Sequence, residues 1–139
     1  MKKKLVLMMG VMLFAVVLSC SNDDDIPPAI CGSWFIIGYG SDQGFHTGDN
    51  IVNTTRLTFY PNGTFDGVIF PNKVSGKYKC NENEFSFTEI SGTQLGAVDP
   101  DLIFIGNQIE KVTTYKILSG SDLRLYYEKD CYIEFNKEK

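Results

Sequence analysis

The stretch Arg56-Leu57-Thr58-Phe59-Tyr60-Pro61-Asn62-Gly63-Thr64-Phe65-Asp66-Gly67-Val68-Ile69 decides the fold class. Leu57 and Phe59 alternate with Arg56, Thr58 and Tyr60; beyond the turn, Phe65, Gly67 and Ile69 alternate with Asp66 and Val68. A period of two sets alternate side chains on one face of a sheet, so these segments are strands. Pro61-Asn62-Gly63 joins them, and Asn-Gly accepts the positive φ angles that a tight hairpin demands. The reading is antiparallel β.

Outward from this hairpin the same patterning predicts strands at Trp34 to Tyr39, Val74 to Cys80, Glu84 to Ile90, Thr113 to Leu118, Leu123 to Glu128 and Cys131 to Asn136. Turn residues separate them at Pro71-Asn72, Asn81 to Asn83, Ser119-Gly120-Ser121 and Glu128 to Asp130. One segment departs from the pattern. Asp99-Pro100-Asp101 is a helix start, with proline early and acids in the first turn. Phe104, Ile105, Gln108, Ile109 and Val112 then recur at three- and four-residue spacing, which predicts a short amphipathic helix over Asp101 to Lys111. Its apolar stripe has to pack on the inner face of the sheet. The expected fold is mainly β (α+β): a strongly bent antiparallel sheet or incomplete barrel of about eight strands with one short helix packed on it. A β-sandwich is the alternative. Trp34, Leu57, Phe59, Phe65, Phe85, Phe87, Leu125 and Phe135 are the expected inward side chains.

The amino terminus reads as an address. Lys2, Lys3 and Lys4 precede an apolar run from Leu5 to Leu18, the charged and apolar regions of a secretory signal. A membrane span needs roughly 20 apolar residues, and this run is shorter. Without residues 1–19, 120 residues remain, with 10 basic against 17 acidic side chains and a net charge of −7. That length fits one domain. The acidic balance has the wrong sign for a nucleic-acid binder built on counterion release. Residues 20–30, with Asp23-Asp24-Asp25 and Pro27-Pro28, read as an acidic, proline-stiffened tether, and residues 31–139 as the folded domain.

Val17-Leu18-Ser19-Cys20 resembles a bacterial lipobox. That resemblance implies that Cys20 is acylated and becomes the mature N-terminus, so the membrane is engaged through acyl groups on Cys20. Ser21 in the second mature position resembles lipoproteins forwarded to the outer membrane. The aspartates at 23–25 resemble the export tag of surface-displayed lipoproteins, which leaves surface display and periplasmic exposure both open. Further on, Gly32-Ser-Trp34, Leu57-Thr-Phe59, Gly63-Thr-Phe65-Asp-Gly67, Gly76-Lys-Tyr78, Phe85-Ser-Phe87, Gly92-Thr93, Tyr115-Lys-Ile117, Leu123-Arg-Leu125 and Ile133-Glu-Phe135 fall in the order seen in META domains, the group that includes HslJ-like lipoproteins. Lipocalin-like lipoproteins are similar in their Gly-x-Trp start, Asn-Gly hairpin and Gly-x-Tyr; the internal helix before the last strands favours META. The chain departs from META domains at Phe70-Pro71-Asn72 and after Thr93, where no cysteine follows, so no family disulfide is carried over. The resemblance implies a non-enzymatic, monomeric accessory or interaction domain at the envelope. A lipocalin-like carrier of small ligands is the alternative.

The residues themselves supply little chemistry. His46, in the glycine-rich loop Gly40 to Asn50, could join Ser41 or Asp49 in a triad, and Asp42, Asp49 and Asn50 offer oxygen ligands to calcium without EF-hand spacing. Asp66, Glu89 and Glu134 lie in alternating strands, where an outward solvated face is the expected place for a carboxylate. The reading is of no catalytic residues, no metal and no cofactor. Tyr39, Tyr60, Val68, Phe70, Tyr126, Tyr127 and Tyr132 are candidates for an outward recognition surface. Cys31, Cys80 and Cys131 are an odd number for an exported chain. In a simple meander Cys31 opens the first strand and Cys80 ends the fourth at the same end of the barrel, with Cys131 at the other, so Cys31–Cys80 is the expected disulfide.

Overall fold

The structure, a computed structural model, describes residues 26–138; Cys20 and the signal-like segment lie outside them. The described residues form nine strands and one α-helix: β1 (Gly32–Ser41), β2 (Gly44–His46), β3 (Thr55–Phe59), β4 (Thr64–Ile69), β5 (Asn72–Cys80), β6 (Phe85–Gly92), α1 (Pro100–Ile109), β7 (Thr114–Leu118), β8 (Asp122–Glu128) and β9 (Cys131–Lys137). All strands belong to one antiparallel sheet in the order β6-β5-β4-β3-β1-β9-β8-β7, with β2 attached to the end of β1. The sheet curls into a half-barrel. Its edge strands converge only where Glu84 bridges Thr114, next to the bond from Phe85 N–H to the Thr113 carbonyl.

The sequence pattern explains the curl. A Cβ at Gly76 would collide with the Glu89 carbonyl oxygen of β6, so glycine lets the two strands press together where the sheet bends. The 56–69 hairpin forms in the predicted register, with Leu57 opposite Gly67 and Phe59 opposite Phe65. Asn62 Oδ1 accepts from the Thr64 N–H and hydroxyl, holding the turn shut.

Strand β2 is the element the sequence does not disclose. Its three residues are exposed and too few to show a period. They pair because Gly38 and Gly40 present bare backbone: a Cβ at either would run into the His46 or the Gly44 carbonyl. The folded unit also reaches into the predicted tether, since Ile30, in a 3-10 turn spanning Pro28–Ile30, is fully buried.

Trp34, Phe59, Phe85 and Phe135 are fully buried, with Leu57, Leu123, Leu125 and Ile133 around them. Phe59 is a hub whose ring lies 5.1 Å from Tyr78, 5.2 Å from Phe85 and 6.2 Å from Phe65, in edge-on or tilted arrangements that suit ring quadrupoles. Phe87 packs on this cluster while half-buried. Helix α1 is capped by Asp99, whose carboxylate accepts from the N–H groups of Asp101 and Leu102. It sends Leu102, Ile105 and Ile109 inward; Phe104, expected in that stripe, turns sideways to pack 4.7 Å from the Tyr39 ring.

The two ends of the half-barrel differ in what they gather. The near end, where the described chain enters, holds Ile26 beside Gly63, the start of β1 and the end of β5. The far end holds the β1–β2 hairpin, the β4–β5 turn, the segment after β6 and the first turn of α1.

Candidate functional site

At the far end, two stretches distant in sequence, 39–50 and 99–101, meet at the helix N-terminus. The Tyr39 hydroxyl donates to Asp101 Oδ1 at 2.7 Å, and Asn50 Nδ2 donates to Asp101 Oδ2 at 2.9 Å and to Asp99 at 3.0 Å. His46 Nε2 lies 3.2 Å from the Asp101 carboxylate. These contacts staple the 41–53 segment to the start of α1. The donors from Asn50 and Tyr39 hold the Asp101 carboxyl below its ordinary range. Burial, reinforced by the bond to Asp101, pushes the Tyr39 hydroxyl up to about 12. Because folding depresses the Asp101 pKa, its contribution is complete above the unfolded carboxylate value and disappears as pH falls through the lowered folded value. Asp101→Asn is therefore expected to flatten the acid limb of a melting-temperature profile as pH falls below the ordinary carboxylate range. A variant whose acid limb matches the parent would refute this.

The triad and calcium groupings that these residue types could form, and that the sequence reading set aside, do not assemble. His46 faces Asp101, whereas Ser41 Oγ accepts from the Gln43 N–H in its own turn. Asn50 offers its amide nitrogen to two carboxylates, the wrong polarity for a cation ligand. Among the described residues, no group of three or more His, Cys, Asp or Glu side chains is disposed to hold a metal ion. Asp66, Glu89 and Glu134 stand on different strands with separate partners. Tyr60 donates to Asp66, Lys77 lies 3.9 Å from Glu89, and Arg124 Nε donates to Glu134 at 2.6 Å.

The tyrosines divide. Tyr60 and Phe70 are exposed as expected, but Tyr39 turns toward α1. Tyr132 is buried on the outer face beneath the Arg124 guanidinium, 4.0 Å above its ring, with Tyr126 at 5.6 Å and Phe45 at 6.4 Å.

Beside the staple lies a cleft of about 390 Å³. One wall is Ile69, Phe70, Val74 and Ile90 from β4 to β6; the other is Ile103, Gly106 and Asn107 of α1. Glu110 is the one charged side chain among its lining residues. The cleft exists because α1 leans toward β1 and β8 through Phe104, whose ring is 6.1 Å from Tyr127, and leaves the β4–β6 side uncovered. Asn72 fixes the rim: its Oδ1 accepts from the Thr93 hydroxyl and the Leu95 N–H. Phe70 and Ile103, which line it, are 52 % and 45 % exposed, and Leu95 and Val98, in the segment between β6 and α1, are 59 % and 94 % exposed. A wider, shallower depression of about 820 Å³ along β7 is lined by charged side chains including Glu82, Lys116, Glu128 and Lys129.

At the near end Cys31 precedes β1 and Cys80 ends β5, both as free thiols; Cys131 starts β9 at the far end. The Tyr78 hydroxyl donates to the Tyr60 carbonyl at 2.7 Å; burial raises its pKa, and the nearby Cys31 and Cys80 thiols add to the rise. Burial pushes the Cys80 thiol up to about 11.

No family model and no curated protein matches the chain. Solved structures do. A DUF4847 family protein from Bacteroides vulgatus ATCC 8482 aligns with a TM-score of 0.60 at 18 % identity, over 81 % of this chain and 97 % of that one. An NMR structure of a protein from Burkholderia xenovorans aligns with a TM-score of 0.61 at 17 % identity, over 84 % and 91 %. What these likenesses establish is the fold: a strongly curled antiparallel sheet with one helix.

Proposed function

We propose that this chain is a cell-envelope lipoprotein, anchored in the outer membrane through acyl groups on Cys20, whose folded part is a monomeric, non-enzymatic META-like accessory or interaction domain. The observation that supports interaction over carriage is the filled interior. Trp34, Phe59, Phe85 and Phe135 occupy the volume in which a carrier would hold its ligand, and α1 fills the mouth with Leu102, Ile105 and Ile109. A lipocalin-like carrier needs about 300–1,000 Å³ of enclosed space for a drug-sized ligand.

Trp34 is the single tryptophan and lies in the core, so its fluorescence reports on the interior. Titration with a brominated fatty acid is expected to leave Trp34 emission unchanged. Saturable one-to-one quenching would place the ligand inside and replace this reading with the carrier.

In the exported protein Cys31 and Cys80 join as a disulfide, the two thiols giving two protons and two electrons to a thiol-oxidising envelope protein. Their shared end of the sheet, with Tyr78 near both, supports this pairing. Non-reducing peptide mapping is expected to recover the Cys31–Cys80 linkage with Cys131 free. A bridged Cys131, or three free thiols, would contradict it.

A further inference from the structure

Six of the seven large apolar side chains exposed among the described residues, Phe45, Val52, Phe70, Leu95, Val98 and Ile103, lie at the far end; Tyr60 is the exception. The chain outside the described residues joins at Ile26, at the opposite end. Residues 20–25 span about 20 Å at full extension, against about 30 Å for the ten residues of β1. The apolar end therefore lies one strand length from the point where the chain enters the folded unit.

The backbone beside the cleft narrows the choice. Strand β6 pairs with β5 on one side, and on the other it touches β7 only around Glu84 and Phe85. From Thr88 to Gly92 its outer edge has no strand partner among the described residues. An extended segment laid along this edge would gain main-chain hydrogen bonds and point every second side chain one way. On the inner side those side chains meet the cleft, whose about 390 Å³ holds two or three of medium size. The lining favours a basic visitor, because Glu110 is its one charged side chain. A second copy of this acidic chain is the poorer match on the same ground.

We propose that the β6 edge and the α1 cleft bind an extended segment of a partner protein, apolar at alternate positions and flanked by lysine or arginine. This deepens, and rests on, the reading of the domain as an interaction module. The segment adds as a strand to Thr88–Gly92, seats its apolar side chains between Ile90 and Ile103, and pairs its basic end with Glu110.

The test uses the full-length lipoprotein in phosphatidylethanolamine–phosphatidylglycerol nanodiscs and a fluorescein-labelled peptide Lys-Val-Thr-Val-Thr-Val-Lys. Anisotropy is expected to show saturable binding, and hydrogen exchange is expected to slow at Thr88–Gly92 and along α1. Gly106→Phe fills the cleft at a position where a Cβ meets only Ile69 Cγ2 at 3.8 Å, so the fold survives. It is expected to weaken binding at least tenfold with the melting temperature retained. Ile103→Glu, at an exposed site, is the second variant and is expected to do the same. A peptide with glutamates for its lysines is expected to bind at least tenfold more weakly. The inference is overturned by an absence of binding, by protection elsewhere, by displacement of the peptide with laurate, which would make the cleft a lipophile site, or by a concentration-dependent dimer that Gly106→Phe abolishes. Brominated fatty acid that quenches Trp34 while peptide binding persists would sink the packed-interior reading alone. An unquenched Trp34 without peptide binding would sink this one alone.

Discussion

Trp34→Ala is expected to lower the unfolding free energy by about 3–5 kcal/mol, the range for deleting a fully buried large aromatic side chain. A domain of this size has about 5–15 kcal/mol in total, so the variant sits near the edge of folding at 37 °C. Three separate losses combine at this position. The indole is completely buried and its removal leaves a cavity that surrounding strands close only in part. Its Nε1–H donates to the Ile30 carbonyl at 2.9 Å, the bond that fastens the entering 3-10 turn to the barrel. The Lys137 ammonium lies 5.2 Å from the ring, so the last turn of β9 loses a neighbour as well. Urea unfolding followed by far-ultraviolet circular dichroism measures the loss. Trp34→Phe retains most of the volume but not the N–H, and is expected to fall about midway. A loss below about 1 kcal/mol for the alanine variant would show that the near end collapses around the gap.

Cys20→Ala is expected to move the protein from the membrane fraction to the soluble one almost completely. Each acyl CH₂ buried in a bilayer contributes about 0.8 kcal/mol and a single chain holds only marginally, so the proposed anchor would need several chains on one cysteine. Removing that cysteine would remove all of them at once. Among the described residues no helix is long and apolar enough to cross a membrane. Detergent phase partitioning and cell fractionation check this, with intact mass reporting the acyl groups directly. Unchanged retention of the alanine variant would overturn the anchoring reading.

How far the sequence was legible depends on what a periodic pattern can encode. The 56–69 hairpin declares itself because both strands alternate and the turn between them uses Asn-Gly. The helix declares itself through Asp99-Pro100, since capping is a local matter between neighbours. The β2 strand stayed hidden because three exposed residues carry no period, and its cause, the bare backbone of Gly38 and Gly40, lies in a different strand. The Asp101 staple was illegible for a related reason: Tyr39, His46 and Asn50 are 51 to 62 residues away from it, and only the barrel topology brings them together. The cleft is harder still to read, because it is a space left by a tilt of α1 toward Tyr39 and Tyr127. Ile103 marks it only in retrospect, as an apolar residue on a helical face that the core does not use.

The chain enters the folded unit through β1, and β1 sits in the middle of the sheet, paired to β3 through Gly32–Phe35 and to β9 through Trp34–Gly40. Under the proposed anchoring through Cys20, a pull on the body of the protein would reach it as tension along that strand. Pulled lengthwise, β1 loads two ladders in shear, so many rungs share the force and must give way together. An edge strand such as β7, bonded on one flank, would instead peel rung by rung. The topology thus brings the chain in on a strand bonded along both flanks, one suited to carry a mechanical load.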